Sequence, residues 1–217
     1  MADFAPIFKF TQIAEGGYSA PADDEAGWCD GKNIGTNRGI SAIAYKGYYG
    51  VCPTVGQMQS LTVGQSEIIY KSLFWQKLRG DEIKNQNVAH ILFDAFIASG
   101  YKGLQRDKKY INAVYGKEVM PVNNSSLTQA DVALINNAPQ QRLFDIAKAG
   151  EIQARKDVAA ANPEKEQFLK GWLLRLDKIN FTPLQAAVSY AKRNWIPIIT
   201  LAGIAGLTTY ALIRVKK

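Results

Sequence analysis

The chain has 217 residues, 47% hydrophobic and 21% charged, with a net charge of +7. That is enough length for one domain with a sizeable core plus a small further element, and a composition this apolar excludes a chain that stays disordered. The basic balance suits a polyanionic partner: cell wall, lipid surface or nucleic acid. Nucleic acid is set aside, because the sequence holds no recognisable helix-turn-helix, zinc module or aromatic sheet motif.

A single histidine, His90, weighs against zinc-hydrolase and serine-triad chemistry, and neither a metal nor a cofactor is expected. Cys29 and Cys52 are too few for a disulfide framework. One bridge between them is open, but two unpaired thiols is the reading adopted.

In chain order, Phe4 to Glu15 reads as a helix stopped by Gly16-Gly17. The opening Met1-Ala2-Asp3-Phe4 lacks a basic region followed by an apolar run, so no secretory signal is expected. Residues 18–57 are rich in Gly, Asp and aromatics and read as a functional loop region with a short hairpin around Ile40 to Val51. Thr62-x-x-Gln65 is a capping box opening a helix to about Lys77. Asn87 to Ser99 is helical, with Val88, Ile91, Leu92 and Ala95 on one stripe.

The stretch from Tyr101 to Ser126 is mixed and yields no assignment. Its Tyr101, Lys102, Arg106, Lys108, Lys109 and Tyr110 read as a solvated face, with contact to an acidic wall polymer the alternative. Thr128 to Asn136, Gln140 to Ala161 and Glu164 to Lys178 complete the helices. Phe168, Trp172 and Leu176 recur at helical spacing and are expected to face the core.

Residues 181–194 read as a linker. Trp195 to Ile213 then runs 19 residues without a charge, about 29 Å as a helix and close to a bilayer core. Lys192 and Arg193 flank one end, Arg214, Lys216 and Lys217 the other. The expectation is a transmembrane anchor, and so a membrane partner.

Glu15 is the most suggestive residue. At about 100° per residue it falls on the same side of the first helix as Phe4, Ile7, Phe8 and Thr11. It also ends that helix, where the macrodipole presents partial negative charge. Burial and that negative end both disfavour the carboxylate, and both are expected to raise its pKa. A protonated glutamic acid near neutral pH is what a glycosidase needs to protonate a leaving oxygen. The bland alternative is a carboxylate that only bonds the following loop.

Glu15-Gly16-Gly17-Tyr18, an acidic loop, and Gly35-Thr36-Asn37-Arg38-Gly39-Ile40-Ser41 together resemble the signature of glycoside hydrolase family 108, the lysozyme-type muramidases of phages and bacteria. Ile69-Tyr70 with Phe74-Trp75, the run Val88 to Asp94, and Phe168 to Arg175 extend the likeness over residues 4–180. The resemblance implies a mainly α, lysozyme-like helical domain with a loop-rich lobe. Residues 1–85 would be the catalytic portion and 86–180 a peptidoglycan-binding-like portion of the same unit, with the linker 181–194 and the membrane helix 195–213 following.

It also implies hydrolysis of the β-1,4 bond between N-acetylmuramic acid and N-acetylglucosamine in peptidoglycan. Glu15 would be the acid, with Tyr18, Thr36 and Asn37 as substrate contacts. Thr36 and Asn37 could equally hold a turn through side-chain-to-backbone bonds. The loop departs from the family pattern, carrying Trp28, Cys29 and Asn33 and Ile34-Gly35 where Gly-Gly is usual, which blurs the second carboxylate. Asp23, Asp24, Glu25 and Asp30 are all available, and Asp30, nearest the Thr-Asn turn, is chosen.

His90 and Asp94, four apart on one helix, are read as a structural pair. A lytic transglycosylase, or a non-catalytic wall-binding or structural membrane protein on the same scaffold, are the alternatives. An anchored chain of this kind is expected in a phage virion membrane or a host bacterial envelope, with phage membrane or capsid proteins as further partners.

Overall fold

The first helix, α1, spans Phe4–Ala14. Its apolar spacing predicts one buried face, and Phe4, Ile7, Phe8 and Thr11 are all buried. The Phe4 ring packs 5.3 Å from Trp75 and 5.8 Å from Phe93, and Phe8 lies 6.0 Å from Tyr70. The computed structural model describes residues 1–14 and 16–181; Glu15, the linker beyond 181 and the expected membrane segment Trp195–Ile213 lie outside them.

A small lobe follows α1. A 3-10 turn, Glu25–Gly27, leads into β1 (Trp28–Cys29) and β2 (Lys32–Asn33), then β3 (Thr36–Asn37) and β4 (Ile40–Ser41). Cys29 pairs with Lys32 and Asn37 with Ile40, both antiparallel. Asp30-Gly31 and Arg38-Gly39 therefore fill two-residue turns, and all four have positive φ, the signature of type I′.

The hairpin expected over Ile40 to Val51 is instead mostly helix α2, Ala42–Tyr49. The Ser41 hydroxyl accepts from the Ala44 amide, and Gly50 ends the helix at φ 78. Serine before and glycine after are start and stop signals that override the aromatic spacing.

Cys29 and Cys52 are bonded to each other, correcting the reading of two unpaired thiols. Between residues 20 and 35 the only buried apolar side chains are Cys29 and Ile34. This lobe has almost no core of its own, and the bridge fastens β1 to the segment after α2.

Helices α3 (Val55–Gln59) and α4 (Val63–Tyr70) open with capping boxes at Thr54/Gln57 and Thr62/Gln65. After α4 the chain widens into a π-helical turn, Lys71–Trp75, ending on the fully buried Trp75. The remaining helices are α5 (Gln86–Ser99), α6 (Tyr101–Tyr115), α7 (Gln129–Asn137), α8 (Gln140–Ala161) and α9 (Glu166–Asp177). One apolar cluster runs from Ala2 to Ile179. Among the described residues, no helix is long and apolar enough to cross a membrane.

Helix α6 occupies the stretch whose pattern gives no assignment, because Arg106, Asp107 and Lys108 turn inward while Lys102 and Lys109 stay exposed. Arg106 clamps Glu151 of α8 at 2.6 and 2.9 Å, and the Tyr110 hydroxyl donates to the same carboxylate at 3.0 Å. Lys108 is 2% exposed and donates to the Asn123 and Ser125 carbonyls at 3.1 and 2.8 Å. Arg106, Lys108 and Tyr110 are thus neither a solvated face nor a polymer contact; partnered charges can sit inside where lone ones cannot. Gly103 allows close approach, since a Cβ there would overlap the Ala95 carbonyl of α5.

On α9, Leu176 is fully buried, while Phe168 is 53% exposed and Trp172 only half-buried. The stripe expected to face the core is therefore split. Leu176 enters the core, and the two rings line a groove against α1.

The disulfide closes a separation of 23 residues, for which chain entropy gives about 3 kcal/mol. Urea unfolding of the Cys29→Ser/Cys52→Ser double variant is expected to show that loss. Reductant should bring the parent to the same midpoint and leave the variant unmoved.

Candidate active site

The end of α1 is held between two supports. On one side, Gln12 Nε2 donates to the Arg38 carbonyl at 3.4 Å, and the Tyr70 hydroxyl reaches the same oxygen at 3.5 Å. Arg38 is the first residue of the β3–β4 turn, and its Nε donates to the Leu61 carbonyl at 2.8 Å. The turn is thereby pinned between α1 and the α3–α4 connection.

The segment that follows α1 joins the same hairpin. Ser19 and Thr36 exchange backbone hydrogen bonds of 2.9 and 2.7 Å. The Tyr18 hydroxyl donates to the Ile34 carbonyl at 3.0 Å, and the ring lies beside Gly35. At φ +87, with the Ser19 carbonyl against it, Gly35 has no room for a Cβ. The Thr36 hydroxyl donates to Asp24 Oδ2 at 3.1 Å, while Asp24 Oδ1 accepts from the Ala26 amide at 3.2 Å.

Tyr18, Asp24 and Thr36 thus share one patch beginning four residues after Ala14. Asp24 and Thr36 are half-buried, accessible to a ligand yet fixed by the backbone.

The other named residues lie differently. Asn37 is 5% exposed, and its amide donates to the Met58 and Gln59 carbonyls at 2.8 and 3.1 Å. It serves as a buried tie between hairpin and α3. Asp30 occupies the tip of the β1–β2 hairpin, exposed, and pairs with Lys46 at 2.8 Å. Nearness in sequence to the Thr-Asn turn does not carry it to Thr36, because the Asp-Gly turn reverses the chain. The Cys29 and Cys52 sulfurs near Asp30 are spent on each other, so that group offers no thiolate for a metal.

On the far side of α1 the support is electrostatic. Arg175 of α9 sits over the Phe10 ring, 6.0 Å from its centroid, with its Nε on Asp94 at 2.6 Å. Arg155 reaches the other Asp94 oxygen at 3.5 Å. The Asp94 carboxylate is therefore held by two arginines rather than by His90, correcting the expected pair. His90 meets Phe10 edge-on at 4.6 Å. Burial lowers its pKa from 6.5 to about 4, against the pull of Asp94 and with a smaller push from Arg175.

Two measurements probe these supports. Asn37→Ala strips the buried Met58 and Gln59 carbonyls of their donor and is expected to lower stability by about 1–3 kcal/mol in urea titration. His90 stays neutral in the fold while the unfolded chain takes up a proton below pH 6.5. Acid should therefore erode stability between 6.5 and about 4. Across that window the stability advantage of the parent over His90→Phe should shrink as pH falls; a constant difference would contradict the burial of a neutral imidazole.

Residues 8–100 match the family Glycosyl hydrolase 108. Among solved structures, the chain is similar to one titled "Structure of Brucella abortus SagA", at a TM-score of 0.63 and 22% identity over 85% of this chain and 94% of that one. At that identity the likeness is one of fold. No curated protein matches the chain. The matched stretch contains the last turns of α1, Asp24, Thr36 and both hairpins, so the family signature and the patch beside α1 coincide.

Proposed function

We propose that the protein is a muramidase: it hydrolyses the β-1,4 bond between N-acetylmuramic acid and N-acetylglucosamine, with Glu15 as general acid. The observation that carries this reading is the coincidence of the glycosyl hydrolase match over residues 8–100 with a half-buried carboxylate, Asp24, bonded to Thr36 beside the end of α1.

Glycoside hydrolysis commonly employs two carboxyl groups. One protonates the leaving oxygen; the other either activates water or attacks the anomeric carbon. Glu15 takes the first role as the residue following Ala14, where the negative end of the α1 dipole favours a protonated acid. Asp24 takes the second in place of Asp30, with the Thr36 hydroxyl fixing one oxygen and the Ala26 amide the other. Tyr18 and Thr36 border the bound sugar, and Asn37 contributes by holding the hairpin still.

The disulfide supports a working place outside a reducing cytosol. The apolar stretch Trp195–Ile213 supports a membrane tether there, in a phage virion membrane or a host bacterial envelope.

Dye release from purified peptidoglycan tests the residue roles. Glu15→Gln is expected to lower kcat by about 10²–10⁴ while wall binding and melting temperature hold. Asp24→Asn should fall comparably and Asp30→Asn should not. Full activity in Glu15→Gln would end the proposal, and the reverse order of the two aspartates would return the second role to Asp30.

A further inference from the structure

Helix α9 carries Phe168, Leu169, Trp172, Leu173, Leu174 and Leu176, yet of its 12 residues only Leu176 is buried. A helix inside a domain ordinarily turns such side chains to the core. Here Leu174 is 52% exposed and Phe168 53%. At about 100° per residue, Lys170, Leu174 and Lys178 form one outward row, Gln167 and Gly171 the next, and Phe168 borders them. All of these are exposed. A Cβ at Gly171 would meet nothing within 4 Å, so the backbone between Leu174 and Phe168 is open from outside.

The charges on this arc have one sign. Lys170 and Lys178 flank Leu174, and no acid lies among them. Glu166 and Asp177 stand beyond its edge, in the groove between α8 and α9, where the exposed Lys156 adds a further cation over Ile152, Leu169 and Leu173. Large apolar side chains interleaved with lysines suit a surface that is apolar below and anionic at its rim. A symmetric second copy is disfavoured, because it would set the lysine row against itself.

We propose that the outward arc of α9 is a docking surface for an anionic lipid bilayer, in which Leu174 and Phe168 enter the headgroup layer while Lys170 and Lys178 meet lipid phosphates. Trp172, beside Phe168 at 6.1 Å between ring centroids, stands near the level that aromatic belts occupy. The arrangement has a consequence for the candidate active site. Helix α9 and the hairpin lobe support α1 from opposite sides, so a bilayer under α9 leaves Asp24 and Thr36 facing away from the lipid. The inference goes beyond the hydrolase reading and takes from it only a place of work beside a membrane. Where the apolar stretch from Trp195 lies in that membrane, the residues between Phe181 and Trp195 span at most about 45 Å. The domain is then held within reach of the surface, and a weak contact suffices.

The experiment places a reporter at the centre of the arc. Leu174→Trp is made in the full chain carrying Trp195→Phe, and the chain with Trp195→Phe alone supplies the background emission. Both are mixed with phosphatidylcholine vesicles, with or without phosphatidylglycerol, whose acyl chains are brominated just below the glycerol. The added emission is expected to be quenched on vesicles containing phosphatidylglycerol, and the quenching should weaken as salt rises. Lys170→Glu/Lys178→Glu should shift the quenching curve at least tenfold in lipid concentration, since one lysine near an anionic surface contributes about fivefold. Its melting temperature should hold, because both side chains lie outside the core.

An unquenched reporter in a chain that floats with the vesicles would overturn the surface. So would quenching that the charge reversal leaves unmoved, or a reporter shielded by soluble peptidoglycan fragments and not by vesicles. Leu201→Asp/Ile204→Asp separates the tether from the surface. If flotation is the same with and without that change, the tether reading falls, while lysine-dependent quenching of the reporter still upholds the α9 surface.

Discussion

The burial of the aromatic face of α1 is the constraint on which the other parts depend. Phe4 and Phe8 insert among Trp75, Phe93 and Tyr70, and each such ring stabilises the fold by about 1.5–3 kcal/mol relative to exposure. That packing fixes the direction in which the helix ends, and hence where the chain hands over to Gly16, Gly17 and Tyr18. The hairpin lobe reaches α1 through Arg38 and Gln12, and the helical half reaches it through Arg175 and Phe10. One short helix is thus the common wall of both.

The two halves meet that wall by different physics. The helical half is ordered by an apolar core and by buried ion pairs linking α5, α6, α8 and α9 through Asp94, Glu151, Arg106, Arg155 and Arg175. Such pairs add little net stability after desolvation, but removing one partner is costly, so they favour a single packing arrangement. The lobe has few buried side chains and is ordered by two type I′ turns, backbone bonds to Ser19 and Gly27, and the covalent tie to Cys52. A lobe built this way can present polar groups such as Asp24 and Thr36 without burying them.

Much of this was legible in the sequence where one local signal dominates. The α1 stripe, the Thr62/Gln65 capping box and the helices α5, α7 and α8 follow from period and caps. The failures came where tertiary partners override local pattern. Helix α6 hides Arg106 and Lys108 inside, so its charges mask its amphipathicity, and α9 exposes Phe168 because the groove, not the core, lies above it. The Asp30-Gly31 turn was readable as a hairpin signal, and reading it would have placed Asp30 at an exposed tip. The Cys29–Cys52 bond had no such local signal, because its two ends meet only once the lobe is folded.

The central claim is that the end of α1 and the hairpin lobe together cut a muramyl glycosidic bond. The most direct test is mass spectrometry of the fragments the full chain releases from purified peptidoglycan. Muropeptides ending in reducing N-acetylmuramic acid are the predicted result. Anhydro-muramic ends would keep the acid but replace hydrolysis by transglycosylation, and no released fragment from a wall that the protein binds would contradict the account.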